Sequence, residues 1–191
     1  MNPSHIPGML FSPAAGWTDL LVRHPSPRRL VVWVFAPLAI LPPAMVLLSA
    51  DTFGASVFPG VTFSSWILVA ALLLLAECAG LLFMTRLIKE AARANHGTPR
   101  TYDAFVVALI APIPMWLATL ALPTANMPVI AGVSLAGITA SAFLIRHGAR
   151  ALLGVREVTE AGQTAFLVMC AGALAWACMT AIILLPVILL S

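Results

Sequence analysis

The chain has 191 residues, of which 61% are hydrophobic and 9% are charged, and its formal net charge is +3. Soluble globular domains carry about 25% charged residues, so this composition excludes an ordinary soluble fold and indicates an integral membrane protein. We therefore expect residues 31–191 to form one membrane domain, preceded by a tail over residues 1–30.

The tail contains one short segment of helical character, residues 13–23. Ser12 can cap this helix, and Pro13 suits its first position. Trp17, Leu20 and Leu21 recur at helical spacing, and the segment is too short to cross a bilayer. The pattern predicts a short amphipathic helix at the membrane interface, with an ordinary loop helix as the alternative.

Five apolar segments are long enough to cross a bilayer as helices. They cover residues 30–48, 64–88, 102–122, 129–145 and 164–190. Prolines interrupt the first segment, so we expect a kinked or unwound outer half there, followed by a polar loop over residues 49–63. The third segment contains Pro112 and Pro114 and is expected inside a bundle, because backbone groups left unpaired in a membrane need protein partners.

All ten Lys and Arg residues lie in three of the regions that flank the spans. They are Arg23, Arg28, Arg29, Arg86, Lys89, Arg93, Arg100, Arg146, Arg150 and Arg156. By the positive-inside rule, the predicted fold is an all-α bundle of five transmembrane helices with a cytoplasmic N-terminus and an external C-terminus. Besides fixing this topology, some basic residues could bind anionic lipid headgroups. The candidates are Arg28, Arg29, Arg86, Lys89, Arg93, Arg146 and Arg150.

Glu77 is the one ionisable residue in the apolar core of the second span, close to the predicted bilayer midplane. A charged carboxylate there costs about 2.5 kcal/mol or more, so it must be protonated, paired or in contact with water. Each proline of the third span releases the carbonyl four residues before it, which here belongs to Ala108 or Ile110. We predict that protonated Glu77 donates a hydrogen bond into this broken region. The interaction is either a structural cross-link or part of an ion or proton site.

Small residues recur at four-residue spacing in three spans, a pattern that lets helices approach closely. They include Gly80, Gly137, Ala173 and Ala177. Packing within the chain is the default interpretation. A homodimer or higher oligomer, with the fifth span at its interface, is the alternative.

The chain lacks the catalytic motifs GxSxG and HExxH and a phosphate-binding glycine loop. Its three cysteines, Cys78, Cys170 and Cys178, fall in apolar runs and are expected to be buried, reduced thiols. We therefore expect a protein that is not an enzyme, with no cofactor, no metal site and no nucleic-acid partner.

Three stretches have the order and spacing of a known family. Residues 10–27 contain Pro, then Trp, a short helix and Pro, and residues 36–43 read APLAILPP. Residues 102–165 run from the paired prolines through a proline-flanked turn to IRHGA at 145–149, and then to Glu-Ala at 160–161. In these features the chain resembles a bacterial member of the Yip (Ypt-interacting protein) family of multi-span membrane proteins.

The chain departs from the Yip pattern at the fourth span, which is usually rich in tyrosine and ends in Tyr/Leu-Gly. Here Tyr102 is the only tyrosine, and Arg146-His147 precedes Gly148. Eukaryotic Yip proteins associate with Rab-type GTPases, an association that does not carry over directly to a bacterial chain. The resemblance implies a non-enzymatic protein of the bacterial inner membrane.

Two functions remain open. The first is a membrane-organising or partner-binding adaptor that uses the tail helix and the basic loops to meet an unidentified protein or the lipid surface. The alternative is a small transporter or channel that uses Glu77 and the broken third helix.

Overall fold

The computed structural model describes residues 24–190, with side chains up to residue 181, and before them Gly16, Trp17, Leu20 and Val22. This part of the chain is all-helical. Five helices are long and apolar enough to cross a membrane, as predicted. They are α1 (Pro27–Leu48), α2 (Phe63–Ala94), α3 (Thr101–Thr124), α4 (Met127–Ala151) and α5 (Val158–Leu190).

Three helices are longer than the apolar segments that predicted them. α2 continues past residue 88 to Ala94, α4 continues past residue 145 to Ala151, and α5 begins at Val158. Hydropathy falls where the charged residues begin, but backbone hydrogen bonding continues until a capping signal stops it. The basic residues of these segments therefore stand largely on helix ends rather than in loops.

The first helix is irregular in its N-terminal half and regular in its C-terminal half. A π-helical turn, Val31–Phe35, precedes Pro37, and Ile40 separates this part from a regular helix at Leu41–Leu48. Pro42 and Pro43 lie in the first turn of that helix, where a missing N–H costs little. The C-terminal half of the first helix is therefore not unwound, in contrast to the prediction. The predicted polar loop is also partly helical, with turns at Ala50–Gly54 and Ala55–Val57.

The third helix lies at the centre of the bundle. In the most apolar 18-residue stretch of this helix, 56% of the residues are buried inside the protein. The corresponding share is 17–28% in the other four helices. It packs against α1, α2 and α4, and α5 packs against α2 and α4. The prediction that the third span lies inside the bundle is confirmed.

The main apolar core lies towards one end of the bundle, where α2, α3 and α4 meet. Its fully buried side chains include Ile88, Leu109, Ile110, Leu144 and Leu153. The start of α1, the α2–α3 loop and the α4–α5 loop meet at this end, and we call it the basic end because these segments carry the Lys and Arg residues.

Candidate functional site at the basic end

The α2–α3 and α4–α5 loops are locked together by backbone contacts. The amide of Thr98 donates a hydrogen bond to the carbonyl of Leu153 over 3.0 Å. Gly97 approaches the same carbonyl so closely that a Cβ atom would stand 2.7 Å from its oxygen. Gly154 has a φ of +72°, a conformation that favours glycine. The two loops thus form one unit that depends on two glycines.

The end of α2 is fixed by a Schellman motif. The amide of Gly97 donates to the carbonyl of Ala92 (2.8 Å), and the amide of His96 donates to that of Arg93 (3.2 Å). His96 takes the left-handed position, with φ +58°. Its Nδ1 lies 3.0 Å from Oε1 of Glu160 at the start of α5. Because His96 is largely exposed, this pair adds about 1 kcal/mol at most, and the backbone contacts fix the geometry.

The tail is attached to the same end. Trp17 and Leu20 are buried, at 0% and 3% exposure, and belong to the main core. The Trp17 ring lies against Gly148 of α4, where a Cβ atom would be 3.0 Å from the ring. Nearer to α1, the hydroxyl of Tyr102 donates a hydrogen bond to the carbonyl of Pro25 over 2.8 Å. The basic segment that precedes α1 therefore also packs at this end of the bundle, together with the two loops.

The predicted interfacial helix, residues 13–23, falls largely outside the described residues. Two side chains of its expected apolar face, Trp17 and Leu20, pack on protein. Val22 is 83% exposed and points away from the core. At these two positions, the apolar face inferred from the spacing therefore packs against the helix bundle.

All seven residues predicted to bind lipid headgroups or fix the topology surround the basic end. The five exposed residues are Arg28, Arg29, Arg86, Arg93 and Arg150. The two half-buried residues are Lys89 and Arg146. The ammonium group of Lys89 donates to the hydroxyl of Thr101 over 2.7 Å. Arg93 pairs with Glu90 at 2.9 Å on the helix surface. The structure therefore gathers at one end basic residues that belong to three separate segments of the sequence.

Among the described residues, two surface grooves near this end stand out. The larger, about 610 Å³, runs between the end of α2 and the start of α5 and is lined by Asn95, Thr159, Gly162, Gln163, Phe166 and Leu167. The smaller, about 400 Å³, lies between α2 and α3 beside the start of α1 and is lined by Pro27, Leu82, Thr85, Arg86, Thr101, Tyr102 and Phe105. The sequence predicted neither groove, because each is built from segments distant along the chain. Glu77 lines neither of them.

Glu77 is half-buried on α2, and its carboxyl group lies beside the indole of Trp116 on α3. Trp116 is itself buried and packs edge-on against Phe35 of α1, with ring centroids 5.7 Å apart. In the described part of the chain, no hydrogen bond joins Glu77 to the carbonyl of Ala108 or Ile110. Glu77 thus faces Trp116 of the third helix and not the carbonyls that were predicted as its partners.

The third helix is broken at the predicted prolines. Regular helix ends at Ile110 and resumes at Ile113, with Pro112 at the junction and Pro114 in the new first turn. Gly137 of α4 lies against this break, where a Cβ atom would stand 3.1 Å from the carbonyl oxygen of Pro114. A neighbouring helix therefore covers the irregular backbone, as a membrane environment requires.

The remaining small residues have a different environment. A Cβ atom at Gly80 would meet nothing within 4 Å, and Ala173 and Ala177 are exposed on α5. The three cysteines are exposed as well, so the prediction of buried thiols is wrong. An apolar residue in a membrane helix can face either lipid or another helix. Composition alone does not distinguish these two environments.

The site residues that sequence reasoning missed are the loop residues Gly97, Thr98 and Gly154 and the pair His96–Glu160. A glycine directly after a helical segment is a turn signal that could have marked both loops. The pairing of the loops had no sequence signal, because it depends on tertiary packing. Among the described residues, no group of three or more His, Cys, Asp or Glu side chains could hold a metal ion.

Fold and site together define an integral membrane protein with five apolar helices, a proline-broken central helix and three basic segments joined at one end. A family model described as the Yip1 domain matches residues 8–182. The chain belongs to the Yip family, as the resemblance predicted. No curated protein and no solved structure matches it.

Proposed function

We propose that this Yip-family protein is a non-enzymatic adaptor or membrane-organising protein of the bacterial inner membrane, acting through its basic end. The observation that carries the proposal is the backbone lock between the α2–α3 and α4–α5 loops, where Thr98 and Gly97 meet Leu153. Loose loops would be enough to fix the topology. A preformed surface lowers the entropic cost of binding a partner, which is what an adaptor needs.

The charge distribution supports a cytoplasmic position for this surface. All ten Lys and Arg residues belong to the three segments that meet at the basic end. Positively charged segments are retained in the cytoplasm during insertion. We accordingly propose a cytoplasmic N-terminus and an external C-terminus.

The lining of the grooves supports a non-enzymatic role. In the described part of the chain, neither groove is lined by a histidine, a cysteine or a carboxylate. Those side chains supply most of the general bases and nucleophiles of enzymes. A histidine–carboxylate pair nearby, His96 with Glu160, is a surface pair that bridges two helices.

A small transporter or channel is the second candidate, favoured by one observation. Glu77 lies beside Trp116, which is two residues past Pro114 in the resumed part of the broken helix. Two other observations favour the adaptor. Gly137 packs against the break, and neither of the two grooves is lined by Glu77.

Site-specific photocrosslinking in intact membranes tests the adaptor proposal. A photoreactive amino acid is placed at Arg93 or Arg156, which are exposed at the basic end, and at Leu120 or Val133, which are exposed elsewhere. The expected result is discrete protein adducts, to a partner or to a second copy, from the basic-end positions only. These adducts should weaken when Gly97→Ala disturbs the lock. Adducts that are equal at all four positions, or absent from the basic end, would contradict the proposal.

A further inference from the structure

The smaller groove lies at the depth where a phospholipid headgroup meets its acyl chains. Along α2, the apolar run from Trp66 to Met84 is interrupted only by Glu77 and, at about 1.5 Å per residue, extends about 28 Å. This matches the hydrocarbon thickness of a bilayer. Arg86 is the first basic residue after that run, so it stands at the edge of the hydrocarbon layer. The groove that Arg86 lines therefore spans this boundary.

The polar rim of the groove suits an anionic group. Arg86 is exposed, and among the described residues no carboxylate lies within ion-pair distance of it. Lys89 follows three residues later on the same face of α2 and is held against Thr101, which lines the groove. The Thr101 hydroxyl accepts this hydrogen bond, so its own proton is free to be donated. Two cations and one hydroxyl donor therefore converge on the rim.

The apolar part of the groove suits an acyl chain. Its walls include Leu82 and Phe105, and Leu82 is 69% exposed on the outer surface of the bundle. The groove thus opens sideways toward the hydrocarbon layer. A peptide bound there would leave backbone N–H and C=O groups without partners, whereas an acyl chain has no such groups.

We propose that the groove between α2 and α3 binds one anionic diacyl phospholipid, with its phosphate against Arg86 and Lys89 and an acyl chain along Leu82 and Phe105. This is a single defined site, distinct from the general attraction of basic segments for an anionic leaflet. The tail passes beside the site: Pro27 lines the groove, and the Tyr102 hydroxyl holds Pro25. A bound lipid would therefore contact all three of the first helices. The inference does not depend on the adaptor role.

Native mass spectrometry of the full-length protein tests the site. The protein is reconstituted in vesicles of equal parts phosphatidylglycerol and phosphatidylcholine, released into the gas phase, and scored for retained lipid. The wild type is expected to retain one phosphatidylglycerol. Arg86→Gln should lower this retention about fivefold, since each basic residue near the surface contributes roughly 1 kcal/mol and 1.4 kcal/mol is tenfold.

Two further variants separate a defined site from diffuse charge. Arg93→Gln removes an exposed arginine of the same helix that is paired with Glu90 and does not line the groove, and it should retain lipid like the wild type. Leu82→Trp leaves every charge in place but fills the groove, and it should lose retention like Arg86→Gln. Leu82 is mostly exposed, so a larger side chain there does not disturb the core.

Three outcomes would overturn the proposal. Equal losses in Arg86→Gln and Arg93→Gln would indicate diffuse electrostatics. Unchanged retention in Leu82→Trp would show that the groove is not the site. Equal retention of both lipids by the wild type would show that the rim does not select an anion.

Discussion

The lock between the two loops makes a sharp prediction for Gly97→Ala. The added Cβ atom would stand 2.7 Å from the carbonyl oxygen of Leu153 and 2.8 Å from that of Ala92. Both obstacles are backbone atoms, so relief requires the α2–α3 loop to move away from the α4–α5 loop and also to shift relative to the last turn of α2. The contact would then lose the hydrogen bond from Thr98 to Leu153 as well.

The size of the effect follows from these contacts. Overpacking costs about 1–3 kcal/mol, and backbone obstacles put this case in the upper half of that range. Loss of a hydrogen bond adds about 0.5–1.5 kcal/mol. We therefore expect Gly97→Ala to lower the free energy of unfolding by about 2.5–4.5 kcal/mol, which corresponds to a decrease in Tm of roughly 5–18 °C for a chain of this size.

Thermal unfolding in lipid nanodiscs, followed by tryptophan fluorescence, measures this decrease. Gly80→Ala is the matched control, since its Cβ atom would meet nothing within 4 Å and alanine is the better helix former. It should leave Tm unchanged or raise it. A Gly97→Ala variant that unfolds at the wild-type temperature would refute the account of the lock.

The other predictions concern the tail, the broken helix and its carboxylate. Tyr102→Phe removes the hydrogen bond to Pro25 and should destabilise the chain by about 0.5–1.5 kcal/mol, with faster amide exchange just before α1; unchanged exchange there would contradict the attachment. Gly137→Val should cost about 1–3 kcal/mol by overpacking against Pro114, and a neutral result would mean that α4 does not cover the break. Glu77→Gln preserves a polar group beside Trp116 and should change the unfolding free energy by less than about 0.5 kcal/mol, whereas Glu77→Ala should cost about 1 kcal/mol. If both Glu77 variants are silent, the cross-link has no structural role.

The number of helices and the central position of α3 were predictable because they depend on single segments. Hydropathy identifies each span without reference to its neighbours. The prolines at 112 and 114 predict burial of α3, since only protein can satisfy a broken helix in a membrane. The gathering of the basic segments at one end was predictable too, because two spans, an even number, separate each basic segment from the next.

What could not be predicted depends on which surfaces face each other. The spacing of Trp17 and Leu20 indicated an apolar face, but hydropathy does not say whether protein or lipid covers it. The same ambiguity explains the exposed cysteines and the exposed Ala173 and Ala177, because lipid tails are as apolar as a helix surface. The contact of Gly97 with Leu153 joins loops more than fifty residues apart. Its existence depends on tertiary packing alone.

The accessibility of a cysteine placed at position 77 tests most directly whether the protein is an adaptor or a transporter or channel. Cys78, Cys170 and Cys178 are first replaced by alanine, and Glu77→Cys or Arg93→Cys is then introduced as the single thiol. Intact and inverted membranes are treated with a membrane-impermeant maleimide. The adaptor account predicts labelling of Arg93→Cys from the cytoplasmic side only and no labelling of Glu77→Cys from either side. Labelling of Glu77→Cys at a rate comparable to Arg93→Cys would reveal a water-filled path and contradict the account.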